Sequence, residues 1–241
     1  KPMSDKPSVR SPWFWVPSLY FAQGIPYVAV MIVSVLMYKR LGVSNTDIAL
    51  YTSWLNLPWV IKPFWSPFVD LLKTKRWWVA TMQLLIGAGL AGVAFTIPTT
   101  FFFQASLAVF WLLAFSSATH DIAADGFYML ALDSHEQAFF VGIRSTFYRI
   151  AIIAGQGVLV MFAGFLENST GNIPLAWSVT FFILGGLFLA LFLYHRYILP
   201  LPKGDKPSAT VTPSTILKEF FATFASFFKK KQAFVAILFM L

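Results

Sequence analysis

The chain has 241 residues, 58% of them hydrophobic and only 12% charged, with a net charge of +8 at pH 7. Soluble domains are about half apolar and about a quarter charged, so this composition excludes an ordinary soluble protein and indicates an integral membrane protein. The basic residues are spread over loops and the C-terminal tail, which argues against nucleic-acid binding. The absence of cysteine excludes disulfides, thiolate metal sites and cysteine nucleophiles.

Apolar runs long enough to cross a bilayer recur along the chain, since a span needs about 20 mainly apolar residues. The first run contains Gln23, Gly24 and Pro26, which predict a kink. The second run contains Lys62 and ends at Asp70. The six runs cover residues 12–38, 47–72, 77–97, 101–132, 138–166 and 175–197. They predict an all-α membrane protein.

The residues outside these runs divide into a tail, a linker and an incomplete run. Residues 1–11 are a polar N-terminal tail, and 198–231 form a linker after the bundle of 12–197. Apolar residues at three- and four-residue spacing over 214–231 predict an amphipathic helix, which lies in the membrane interface or packs on the underside of the protein. Residues 232–241 are the start of a seventh span.

The distribution of Lys and Arg predicts the orientation, because basic residues concentrate in cytoplasmic loops. With the N-terminus inside, thirteen basic residues lie on the inner side and only two, Lys39 and Arg40, on the outer side. We therefore expect a cytoplasmic N-terminus and a cytoplasmic linker. Six spans, a basic linker and a new span are the layout of the N-terminal half of a twelve-span transporter.

The fourth run carries two carboxylates, Asp121 and Asp125, which are four residues apart and share a helix face. Counted from the inner end of the run, they lie roughly 16 Å and roughly 10 Å deep. An Asp at the centre of a span costs about 3 kcal/mol, so both need partners or water. They are candidate proton-coupling residues, and the alternative is that they form ion pairs that only hold helices together.

The fifth run supplies Arg144 and Arg149, at depths of roughly 9 Å and roughly 16 Å. The depths pair Asp121 with Arg149 and Asp125 with Arg144. The two arginines are about 140° apart around the helix, so both cannot face the same neighbour. We place Arg149 in the central cavity, because Gln156 shares its face.

Other polar residues in the runs are candidates for substrate binding or gating. Lys62 binds substrate anions or extends to the interface, and Gln23 offers hydrogen bonds to a polar ligand. Asp70, near Arg76, is either a solvated loop residue or part of a gate. His120 is either a helix contact or a proton relay, and it does not predict a metal site with the two aspartates alone. We expect neither a metal nor a cofactor.

Four segments resemble the major facilitator superfamily, and within it the family of AmpG-type muropeptide permeases and acetyl-CoA transporters. Residues 21–26 contain a small residue, Gly and Pro, and residues 62–70 are similar to the pattern Lys-Phe-x-Trp-x-Pro-x-x-Asp. Residues 120–125 are similar to the pattern Gln-Asp-Ile-x-x-Asp, and residues 147–149 contain Tyr148 and Arg149 before two glycines. His120 stands where that pattern usually has Gln.

The resemblance implies a proton-driven permease that works by alternating access. Bacterial members of that family import anhydromuropeptides across the inner membrane. The expected partners are a small-molecule substrate, protons and the bilayer, and we expect a monomer. One alternative is a transporter of another organic anion, such as acetyl-CoA or a sugar derivative. A second is a membrane transferase that would use the loop 133–136. A third is a receptor or assembly subunit that keeps the fold without transport.

Overall fold

Five long apolar helices form most of the described structure. The computed structural model describes residues 11–202, 204–206 and 222, which contain helices and turns but no strand. Each of the five is long and apolar enough to cross a membrane, and they confirm the all-α membrane fold. We name them span 1 (Pro12–Arg40), span 3 (Lys75–Thr96), span 4 (Phe102–Ala131), span 5 (Ser134–Thr170) and span 6 (Ile173–Ile198).

The expected second span is not one continuous helix. Residues 45–72 form three short helices, Asn45–Thr52, Leu57–Ile61 and Ser66–Leu72, joined by the 3₁₀ turns Ser53–Asn56 and Lys62–Phe64. Pro58, Pro63 and Pro67 cause the breaks, because proline lacks the N–H of the helical hydrogen bond and its ring crowds the preceding turn. We call this element the broken helix. Trp65 is a turn residue between Lys62–Phe64 and Ser66–Leu72, and the element as a whole is positioned beside span 4.

Spans 1 and 5 each contain a π-helical turn where they meet. In span 1 the turn is Ala29–Val33, directly after the helix that contains Pro26, so the irregularity lies just beyond the predicted kink. In span 5 it is Gly155–Leu159. The two turns contact each other, and Gly155 packs directly on Val28. A π turn inserts one residue and commonly marks a functional position in a helix.

The helices form two tightly packed groups that share span 4. Span 1 packs on spans 5 and 4, and span 3 packs on spans 6 and 4. Glycine permits the closest approach of spans 3 and 6, where a Cβ on Gly87 would lie 3.3 Å from the Gly185 carbonyl oxygen. Such small-residue contacts are the usual way in which membrane helices approach each other. Span 4 is thereby fixed between both groups.

The short connections are explained by helix capping. The loop expected at 133–136 is the start of span 5: Asp133 and Glu136 form a reciprocal capping box. These two acids therefore satisfy backbone N–H groups at the beginning of span 5. At the other end of span 5, the buried Glu167 binds the Arg40 guanidinium and accepts a 2.7 Å hydrogen bond from the Trp177 indole.

We expect Gly155→Ala to destabilise the protein by about 1–3 kcal/mol, the usual cost of overpacking, because a methyl group there would overlap Val28. Gly157→Ala is the matched control, since a Cβ at 157 meets no atom within 4 Å and lies in the same π turn. Thermal unfolding of both purified variants measures the difference. Equal unfolding temperatures would show that the contact does not limit the packing of spans 1 and 5.

The described residues do not include most of the predicted tail, the amphipathic helix over 214–231 apart from Ala222, or the seventh span over 232–241.

Candidate functional site

The first part of the site is an ion pair between the broken helix and span 4. Lys62 Nζ lies 3.8 Å from Asp121 Oδ2, and the two side chains are 37% and 10% exposed. Lys62 begins the 3₁₀ turn that precedes Trp65, and this turn contacts span 4. The break in the helix is therefore what directs the lysine at Asp121. A carboxylate this deeply buried requires such a partner.

Buried polar groups surround this pair. The Gln23 amide and the Trp59 indole are hydrogen-bonding neighbours of the Asp121 carboxylate, and the phenol of Tyr148 is within electrostatic range of it. The buried Gln23 Oε1 has no hydrogen-bond partner among the described residues. Buried polar groups are nearly always satisfied by protein or water, so unsatisfied ones indicate a place for water or a ligand. Together they define a polar site in the membrane part of the bundle.

The second carboxylate, Asp125, is paired with a cation and hydrogen-bonded to a phenol. Arg144 Nη2 lies 3.4 Å from its Oδ1, and the Tyr20 hydroxyl donates a 3.0 Å hydrogen bond to the same oxygen. The Arg144 guanidinium also lies over the rings of Tyr20 and Tyr128, at 4.7 and 5.1 Å from their centroids. The structure thus contains the Asp125–Arg144 pair that depth predicted. The roles of both residues in transport stay predictions.

The predicted pairing of Asp121 with Arg149 is wrong. Lys62 takes the place of the arginine, and Arg149 is exposed on span 5. The reason is angular: Arg144 faces Asp125, and five residues further along the helix a side chain points about 140° away. Gln156, which shares the face of Arg149, is exposed as well.

His120 belongs to a buried network that the sequence did not predict. Gln83 Nε2 lies 3.1 Å from His120 Nε2, and Gln83 Oε1 lies 3.0 Å from His195 Nδ1. His195 Nε2 in turn lies 2.9 Å from Ser18 Oγ. Gln83 and both histidines are fully buried. The network joins spans 1, 3, 4 and 6, so His120 makes a helix contact and faces away from the Asp121 site.

We expect Gln83→Leu to destabilise the protein by about 1–3 kcal/mol, the cost of leaving buried polar groups unpaired, because both imidazoles lose a partner. Gln104→Leu on the exposed side of span 4 is the control, with little expected change. Thermal unfolding of both variants tests this. If Gln83→Leu unfolds at the temperature of the unaltered protein, the network does not contribute to stability.

The candidate gate residues lie where the broken helix meets span 3. Asp70 pairs with Lys75 Nζ, and Arg76 donates a hydrogen bond to the carbonyl oxygen of Arg196. Gly126 provides the space for the Lys75 side chain, because a Cβ there would lie 2.8 Å from Lys75 Cε. In this structure Asp70 therefore contacts span 3, and Arg76 contacts span 6.

The sequence also missed residues around the two carboxylates. Tyr20 and Trp59 were not predicted, because aromatic residues are abundant in every span and no spacing distinguishes these two. Gln83 and His195 could have been found, since an amide and an imidazole within apolar runs require hydrogen-bond partners. Only the fold shows that they meet.

A bundle of long apolar helices with ion pairs inside it defines a multi-pass membrane protein. The sequence matches the BT1 family over residues 21–241, and the chain belongs to that family. This confirms the resemblance to permeases of the major facilitator type that was inferred from the motifs.

The chain is also similar to known proteins. It is 27% identical over 234 residues to AmpG 4 of Rickettsia conorii, which is named as a transporter; the match covers 91% of this chain and 53% of that protein. It is 24% identical over 228 residues to the anhydromuropeptide permease of Escherichia coli K12, covering 91% and 43%. The chain thus spans about half the length of the curated relatives it matches. Neither relative is named as an enzyme.

Proposed function

We propose that this chain is the N-terminal half of a proton-coupled secondary transporter that works by alternating access. The observation that carries the proposal is the Lys62–Asp121 pair in the membrane part of the bundle, with the buried and unpaired Gln23 Oε1 beside it. An intramembrane carboxylate paired with a half-exposed lysine can change its partner when its charge changes. Its position between the broken helix and span 4 supports a role in helix movement.

In the proposed mechanism, a proton binds Asp121 and removes the charge that holds Lys62. The lysine is then free to bind an anionic group of the substrate, and the broken helix is free to move relative to span 4. A ligand shifts such an equilibrium only by its different affinity for the two states. Asp125 is the second proton-coupling candidate, because Arg144 and Tyr20 would lose a charged partner on its protonation.

We propose that the substrate is a cell-wall-derived muropeptide, imported across the bacterial inner membrane. The similarity to a relative named anhydromuropeptide permease supports this choice. A muropeptide has sugar hydroxyls, amides and carboxylates. Lys62 and Arg149 are suited to the carboxylates, and Gln23, Tyr148 and Trp59 to the neutral polar groups. Gln156 extends the exposed face of Arg149.

We further propose a monomer with a cytoplasmic N-terminus, in which Asp70 and Arg76 contribute to an inner gate. The excess of basic residues on one side supports this orientation. In the gate, the Asp70–Lys75 pair would hold the broken helix against span 3 in one state and separate in the other.

Uptake by sealed vesicles containing the whole protein, with an imposed proton gradient, tests the proposed substrate. We expect an unlabelled anhydromuropeptide to compete with a labelled one, and acetyl-CoA at the same concentration not to compete. Stronger competition by acetyl-CoA would favour transport of another organic anion. Binding without uptake of either compound would overturn the proposal of transport.

A further inference from the structure

A groove of about 550 Å³ lies between the beginning of span 3 and the end of span 6, away from the Asp121 site. Residues from both spans and from the start of the linker line it. Trp77, Leu84 and Tyr197 are exposed along it, so it opens to the surface of the bundle. The groove lies apart from the Lys62–Asp121 pair, and Arg76 is the one lining residue that it shares with the proposed gate.

One end of the groove is polar and carries positive charge. Arg76 and Arg196 line it, and the hydrogen bond from Arg76 to the Arg196 carbonyl oxygen fixes one guanidinium at the end of span 6. Lys73 Nζ lies 6.0 Å from the centre of the Trp77 ring. Among the described residues, neither Lys73 nor Arg196 is in an ion pair. This end is therefore suited to an anion.

One acidic residue, Asp205, also lines this end and is held at the beginning of span 3. Asp205 accepts hydrogen bonds of 2.6 and 3.0 Å from the backbone N–H groups of Lys75 and Arg76. It thus caps the first turn of span 3, where a negative charge is favoured by the helix dipole. A second anion at the groove would bind the arginine side chains and not this helix terminus.

The other end of the groove is apolar. Ala80, Thr81 and Leu84 follow Trp77 on one face of span 3, one to two turns further into the span, and Phe192 lies opposite on span 6. Trp77 and Tyr197 stand between the polar and the apolar ends. Exposed Trp and Tyr near helix ends are typical of the level of the lipid headgroups. The groove is therefore polar at the membrane surface and apolar at greater depth.

We propose that this groove binds an anionic phospholipid, with the phosphate against Arg76 and Arg196 and an acyl chain against Ala80, Leu84 and Phe192. Basic grooves between membrane helices on the cytoplasmic side bind acidic headgroups. The apolar end selects a lipid over free phosphate, because only an amphiphile fills both ends. The bound lipid would join span 3 to span 6.

Native mass spectrometry of the whole purified protein tests this proposal by titration with phosphatidylglycerol and with phosphatidylcholine of the same acyl chains. We expect phosphatidylglycerol to bind more tightly. Arg196→Gln is expected to weaken that binding about fivefold, the equivalent of about 1 kcal/mol for one basic residue at an acidic lipid surface. Arg196→Lys keeps the charge and is expected to bind nearly as the unaltered protein does.

Lys39→Gln is the matched control, because Lys39 is an exposed cation at the opposite end of the bundle, hydrogen-bonded to Asn45. It is expected to leave the lipid affinity unchanged. Equal affinity for both lipids, or equal weakening by Lys39→Gln and Arg196→Gln, would overturn the proposal. So would full competition by glycerol 3-phosphate, which would show a free-anion site.

Discussion

Vesicles that contain the Asp121→Asn variant are expected to lose proton-driven uptake, down to the level of vesicles without the protein. Asparagine preserves the shape of the side chain, but it neither carries a negative charge nor releases a proton. Lys62 then lacks the partner whose negative charge a bound proton would remove. The measurement is accumulation of labelled substrate under an imposed proton gradient, with the amount of protein in the membrane determined for each variant.

Asp47→Asn is the matched control for this experiment. Asp47 is exposed at the beginning of the broken helix, where it accepts a hydrogen bond from Ser44, so its neutralisation alters charge without touching the site. We expect it to retain uptake. Normal uptake by Asp121→Asn would contradict the proton-coupling role of Asp121. An equal loss of uptake in both variants would show that uptake depends on the net charge of the protein and not on this site.

The second large effect is expected for Lys62→Gln, which leaves the buried Asp121 without its cation. Removal of one partner of a fully buried pair costs about 3–5 kcal/mol. Because the Lys62 side chain is 37% exposed, we expect about 1–3 kcal/mol here. The double variant Lys62→Gln/Asp121→Asn is expected to recover most of the lost stability, since no isolated charge remains.

Thermal unfolding of the two single variants and the double variant gives the interaction energy of the pair. Recovery of stability in the double variant, without recovery of uptake, is the expected combination. Additive losses would mean that Lys62 and Asp121 act independently, contrary to the 3.8 Å contact.

Much of the fold followed from the length and apolarity of the runs, because the bilayer requires helices of about 20 residues. Span 4 was expected over 101–132 and is Phe102–Ala131. The broken helix could not be placed in the same way. Hydropathy gives the length of a run but not its continuity, and the three prolines decide where hydrogen bonding is interrupted.

At the site, the sequence predicted the depth of each residue along its helix but not the direction in which its side chain points. Counting residues placed Asp125 level with Arg144, and the two are paired. It also placed Asp121 level with Arg149, but Lys62 from another segment occupies that position. Depth along an axis follows from sequence, whereas the rotation of each helix depends on packing. Contacts such as Gly155 on Val28 contribute to that rotation.

Proton movement on addition of substrate tests the coupling role of Asp121 most directly. In weakly buffered vesicles containing the unaltered protein, we predict that substrate entry carries protons with it and raises the external pH. The Asp121→Asn variant should exchange labelled for unlabelled substrate across the membrane but cause no change in pH. Substrate-dependent proton uptake by Asp121→Asn, equal to that of the unaltered protein, would contradict the account.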